Sequence, residues 1–134
     1  MAETIDGRVA ELLEDKNFVQ VATIRKDGTP HLVPVWVDHE AGKVVLNSSE
    51  GRVWPANLRR DPRVTLNVVN QENPYEYVEI RGRMVEDTHE GADEHIDKLA
   101  KKYMGLDEYP GRFPGEQRII FKIEPERVRH NAPR

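Results

Sequence analysis

Asn47-Ser-Ser-Glu-Gly-Arg-Val-Trp-Pro-Ala-Asn-Leu-Arg-Arg-Asp-Pro-Arg63 is the stretch around which the chain is organised. It closes an apolar strand, crosses a turn at Gly51 and enters a short helix, whose first turn holds Pro55 because no N–H donor is needed there. Pro62 disfavours helical dihedrals at Asp61, so the helix stops there and apolar alternation resumes at Val64. Two serines, backbone N–H groups, the Arg52 guanidinium and a helix N-terminus therefore gather within a few residues, a donor set suited to a phosphate. An ordinary strand-to-helix connection with a solvated arginine satisfies the same pattern, and the local chemistry leaves both readings open.

On the N-terminal side, Lys43–Asn47 follows a turn at residues 40–42, and His31–Val37 follows a turn at residues 26–29 after the strand Phe18–Ile24. These three runs read as a three-strand meander. Ile5, Val9, Leu12 and Leu13 recur at helical spacing behind Thr4, predicting an amphipathic helix capped by Thr4 and ending near Asn17. His31–Val37 is apolar on both faces, Leu32 and Trp36 alternating with Val33, Val35 and Val37, so each face needs a cover; a second subunit is the expected one. Pro34 cannot donate to a ladder and marks an edge or bulge where a flat ligand gains access to backbone.

On the C-terminal side, Val64–Val69 and Tyr75–Glu86 read as strands. Thr88 is placed to cap a helix carrying Ala92, Ile96, Leu99, Ala100 and Tyr103, with Gly105 just past its end. Residues 106–116 read as a loop and Arg118–Ile123 as a last strand broken at Glu124-Pro125-Glu126, with residues 131–134 frayed. The expected fold is mainly β (α+β): one domain over residues 1–134, a six-stranded antiparallel barrel with flanking helices.

Composition narrows the function. The 134 residues carry a formal charge of −4, which disfavours a general nucleic-acid binder, since such a protein needs a basic face. The absence of cysteine removes disulfides, thiolate metal sites and cysteine nucleophiles. No stretch approaches the length of a membrane span or reads as a leader, so the cytoplasm is the expected compartment. His89 and His95, six residues apart, do not share a helical face as i, i+4 ligands would, and no metal site is expected.

Gly51-Arg52 and Asn57-Leu-Arg-Arg-Asp-Pro-Arg63 resemble the core motif of the F420-dependent (deazaflavin-dependent) oxidoreductases, within the pyridoxamine 5'-phosphate oxidase-like FMN-binding split-barrel superfamily. Further segments agree in order: Val21–His31 with Val33–Trp36, Asn73–Gly82, Leu99–Gly105 and Ile123–Val128. The resemblance implies a split β-barrel homodimer with coenzyme F420, or alternatively FMN, in a groove at the dimer interface. It implies that the backbone of Val33, Pro34 and Val35 faces the ring, that Trp36 walls it, and that Asn47, Ser48 and Ser49 bond its polar edges or linker. Arg52 would pair with phosphate, Asn57 would fix the helix start, and Tyr75 and Tyr77 would come from the other subunit.

One position departs from the pattern. Family members often carry a lysine two residues after the arginine, where this chain has Trp54, an apolar wall with a single donor in place of a point charge. Plain readings stand beside these roles: Trp36 as core packing, Trp54 as an interface anchor, Tyr75 and Tyr77 as cross-strand packing, and His31 as structural, although it could carry a proton. The expected function is hydride transfer from the reduced deazaflavin to a small unsaturated or quinone-like acceptor. An FMN-dependent flavoprotein and a non-catalytic cofactor-binding or storage protein are the alternatives.

Overall fold

The computed structural model describes residues 4–133. In chain order the elements are α1 (Gly7–Glu14), β1 (Val19–Ile24), β2 (Pro30–Val35), β3 (Asp38–Glu40), β4 (Lys43–Ser49), α2 (Val53–Arg60), β5 (Arg63–Val69), β6 (Tyr77–Thr88), α3 (Ala92–Met104) and β7 (Arg118–Asn131). Among these residues no helix is long and apolar enough to cross a membrane.

Period-two alternation builds the sheet. Val19, Val21 and Thr23 of β1 and Val64, Leu66 and Val68 of β5 are buried, while the residues alternating with them are half-exposed or, at Arg63, exposed. Seven strands form one antiparallel sheet in the order β2-β1-β5-β6-β7-β4-β3. The strand beyond the expected six is β3, whose three polar residues are too few to show alternation. The β1–β2 hairpin forms as read, with Val21 opposite Val33. The meander does not continue, because β4 pairs with β7, setting Leu46 opposite Phe121, and with the short β3, leaving β2 at the far end of the sheet.

The long strand β7 runs through Pro125 where a break was expected. A register shift between Arg81 and Gly82 brings Gly82 opposite Pro125, so the residue without an N–H sits at an irregularity in the ladder. Asn131 pairs with Tyr77, so the end of β7 is held in the sheet at a position read as frayed; Arg134 lies outside the described residues. β6 begins at Tyr77, with Tyr75 in the turn before it, and runs on to Thr88.

The helices differ at their ends. Asp6 takes the N-cap of α1, and the Thr4 hydroxyl donates to the Asp6 carboxylate at 3.1 Å. Gly91, at φ +75°, takes the N-cap of α3, while Thr88 Oγ1 accepts from the Glu90 N–H. Gly105 ends α3 in the left-handed conformation expected of it.

One core cluster fills the barrel, with Leu12 and Leu13 of α1, Trp54 and Leu58 of α2 and Phe121 and Ile123 of β7 among its members. Val33 and Val35 pack against it from β2. On the other face of β2, Pro30, Leu32 and Pro34 are exposed, Leu32 by 65%. The C-terminal turn of α3 ties the seam together. Lys102 Nζ donates to the carbonyls of Leu13 and Val37, and the Tyr103 hydroxyl donates to Asn17 O at 2.6 Å while accepting from the Val37 N–H at 3.1 Å.

Candidate functional site

The barrel is split where its two end strands fail to meet. β3 covers β4 only from Lys43 to Val45, so from Leu46 to Ser49 the edge facing β2 has no strand beside it. A cleft of about 310 Å³ occupies this seam. Pro34, Val35 and Trp36 form one wall, Asn47 and Ser48 the other, and Arg52 and Trp54 close one end. Ile96 and Leu99 of α3, with Tyr109, Arg118 and Phe18, complete it.

The apolar wall is rigid because its rings support one another. Trp36 stacks on Tyr103 at 5.1 Å and 6°, and Tyr103 stacks on Phe18 at 5.6 Å and 8°. Tyr109 meets the Trp36 ring edge-on at 5.8 Å. Tyr103 is fixed by its own hydroxyl bonds, and burial pushes its pKa up to about 12, so the phenol stays neutral.

The polar wall is a connected network. Arg118, 5% exposed, donates from Nε and Nη2 to Asn47 Oδ1 at 3.0 and 2.8 Å and from Nη1 to Glu116 at 3.0 Å. Its guanidinium lies 5.2 Å from the Tyr109 ring centre. Asn47 Nδ2 donates to Ala92 O at 2.9 Å and lies 3.0 Å from His95 Nδ1, while His95 Nε2 lies 3.1 Å from Asp38 Oδ2. Burial pushes the Asp38 carboxyl pKa up, yet bonds from His95, the His39 N–H and Lys98 outweigh it and hold the group well below the usual carboxylate range. The Ser48 hydroxyl is buried with no partner among the described residues.

At the turn, Gly51 adopts φ +94°, a conformation that favours glycine, and sends the chain into α2. Arg52 is exposed and bonds Ser49 Oγ at 3.1 Å, with no carboxylate partner among the described residues. The neighbouring cations are committed. Arg59 holds Glu50 at 2.6 Å and Asp87 at 2.9 Å, and the first of these bonds keeps the Glu50 carboxyl down at about 2. Arg60 bonds Ile24 O and Asn57, and Arg63 bonds Asp61.

Of the residues read from the sequence, the fold brings Pro34, Val35, Trp36, Asn47, Ser48, Arg52 and Trp54 to the cleft. Ser49 stands behind it as the anchor of Arg52. Val33 faces the core, and Asn57 lies in mid-helix, where its amide docks α2 on Thr23 of β1 at 3.2 Å, so it does not set the helix start. Half-buried His31 lies outside the cleft, its Nδ1 without a partner among the described residues. Tyr75, 79% exposed, and Tyr77, 38% exposed, line a separate surface depression with Asn73 and Asn131. The sequence did not single out as site residues Arg118 and Tyr109, which line the cleft, or His95, which stands behind it against Asn47. They come from sequence positions far from the motif, and only the β4–β7 pairing and the α3 docking bring them in.

A small antiparallel split barrel with a flat-walled, arginine-bearing cleft at its seam defines the class to which the molecule belongs. Residues 5–132 match the pyridoxamine 5'-phosphate oxidase family, and the chain belongs to that family of flavin- and deazaflavin-binding split-barrel proteins. A solved structure described as an F420 reductase is 26% identical, with TM-score 0.78, over 89% of this chain and 94% of that one. A conserved hypothetical protein of Mycobacterium tuberculosis (22% identity, TM-score 0.73, 98% of this chain and 88% of that one) shares the fold. So does a putative pyridoxamine 5'-phosphate oxidase of Listeria innocua (20%, 0.71, 93% and 97%). A search of curated protein sequences finds no match.

Proposed function

We propose that the protein is an F420-dependent oxidoreductase that reduces a small unsaturated or quinone-like acceptor. The observation that carries this reading is the seam cleft itself, where flat apolar walls meet buried donors at Ser48 and Arg118 and a carboxylate-free guanidinium at Arg52. The residues fit such a coenzyme. An orphaned buried hydroxyl calls for a partner, the walls suit a planar ring, and Arg52 on the glycine turn suits a phosphate. The likeness to the F420 reductase supports the same choice.

When bound, the reduced deazaflavin supplies the hydride. The chain's own residues then have limited tasks. Pro34, Val35 and Trp36 hold a ring flat, Asn47 and Ser48 engage its polar atoms, and Arg52 pairs with its phosphate. No carboxylate or histidine lines the cleft among the described residues, and we assign the product proton to water. A homodimer completes the site: Tyr75 and Tyr77 are exposed and away from their own chain's cleft, and they would reach a cofactor only from a second copy.

One observation favours FMN as the second reading. Trp54 is 4% exposed and packed on Phe121, so position 54 offers a polyanionic tail a buried indole and no charge of its own. Fluorescence titration with F420 and with FMN, followed by mixing the reduced F420 complex with a panel of enones and quinones, tests the proposal. Binding of F420 and its reoxidation by an acceptor are expected. Yellow protein carrying FMN as purified would transfer the reading to the flavin, binding without reoxidation would indicate a storage role, and failure to bind either would end it.

A further inference from the structure

We infer that Arg118 is the residue that recognises a ring-edge carbonyl in the cleft and that His95, through Asn47, is the residue that positions it. The class of group recognised is a cyclic imide or dione edge on a planar ring. This deepens the proposed function and rests on it only in taking the cleft as a ring site.

The hydrogen positions follow from one constraint. A guanidinium can only donate, so the Asn47 atom facing Arg118 is its oxygen and the atom facing α3 is its NH₂ group. That NH₂ donates to Ala92 O and to His95 Nδ1, which must then be an acceptor. The imidazole proton consequently lies on Nε2 and points at the ionised Asp38 carboxylate. Asp38 is fixed in turn by the His39 N–H at 2.8 Å and Lys98 at 3.2 Å. Each link sets the orientation of the next, from Asp38 at the surface inward to Arg118.

The result is a guanidinium with donors to spare. Of its five N–H groups, three are committed, one from Nε and one from Nη2 to Asn47 and one from Nη1 to Glu116. One N–H on each terminal nitrogen is left without a bond among the described residues. The Glu116 and Arg118 side chains are 3% and 4% exposed, so their charges offset each other, and the spare donors suit a neutral carbonyl better than a free anion. Ser48, unpartnered and 2% exposed, lines the same cleft and can donate or accept beside them. A planar ligand with adjacent carbonyls would satisfy both groups, which a ring without them leaves unpaired.

Lumichrome and phenazine separate these cases, since both are flat tricycles and only the first carries a dione edge. By fluorescence and calorimetric titration, the wild type is expected to prefer lumichrome by about tenfold or more. His95→Leu should erase most of that preference while leaving phenazine affinity unchanged. His95→Asn, which can keep an acceptor near the Nδ1 position, should restore part of it, a pattern that loss of packing alone would not produce. Arg118→Lys provides an independent variant and should also flatten the ratio. Equal affinity of the wild type for the two rings, failure of lumichrome to bind, or an unchanged ratio in folded His95→Leu would overturn the inference. Failure of F420 and FMN to bind, with the lumichrome preference intact, would instead remove the proposed function and leave this recognition standing.

Discussion

The indole of Trp54 lies 5.3 Å from the ring of Phe121, tilted by 54°, and the two side chains are 4% and 0% exposed. Trp54 is therefore a core residue that shows only an edge to the cleft. Trp54→Ala should lower stability by about 3–5 kcal/mol, the usual cost of removing a buried aromatic ring. Trp54→Lys should also destabilise, because the core offers its charge no partner. Urea midpoints measure both, and a Trp54→Lys protein as stable as the wild type would show that the indole is dispensable.

This relationship marks the limit of what the sequence discloses. Periodicity finds Trp54 beside Pro55 on a short helix, and the motif resemblance places it at a ligand. Neither indicates that β7 delivers Phe121 underneath it, because that depends on β4 pairing with a strand that begins only at Arg118. Local signals were reliable where the controlling contacts are local, as in the β1–β2 hairpin, the Pro62 stop after α2 and the Gly105 end of α3. They failed where a non-local pairing overrode a local breaker, as at Pro125. They were silent on Arg118 and His95, whose roles depend on a network spanning β3, β4, α3 and β7.

Arg52 offers the cleanest binding test. It is exposed, its only hydrogen bond among the described residues goes to Ser49, and its removal leaves no buried charge behind. Arg52→Ala should weaken binding of F420 or FMN by about 1.5–3 kcal/mol, the value of a charge-assisted bond to phosphate. Arg63→Ala is the control, since that side chain is 67% exposed and already paired with Asp61. Equal affinity of the Arg52→Ala and Arg63→Ala proteins would remove Arg52 from the site.

Gly82 is required by close approach. A Cβ at this position would stand 2.4 Å from the Glu124 carbonyl oxygen and 3.0 Å from a methyl of Ile123. The obstructing atom is backbone, so the strand itself has to move. Gly82→Ala should cost about 1–3 kcal/mol, as other overpacked substitutions do, and should loosen the β6–β7 register around Pro125. A lowered melting temperature together with faster amide exchange at residues 123–127 is the expected result, and unchanged exchange there would contradict it.

Lys102 makes the chain's stability depend on alkaline pH. Its ammonium is largely buried beneath the Leu13 and Val37 carbonyls, and burial lowers its pKa from the ordinary 10.5 to about 8. Between those values the unfolded chain holds a proton that the folded chain has lost, so stability rises with pH across that window. Below the folded value both states are protonated and the full cost of burying the charge is present. The gain is of order 1 kcal/mol, because part of the site remains open to solvent and screens the shift. Tyr103, held up to about 12 by burial, acts in the opposite sense only above its ordinary value of 10, where the unfolded phenol ionises first. Urea midpoints measured from about pH 8 to about pH 10 should therefore climb in the wild type. Lys102→Met should be less stable throughout, since it leaves two carbonyls without their donor, and its midpoints should not climb; a parallel rise in both proteins would assign the effect to some other group.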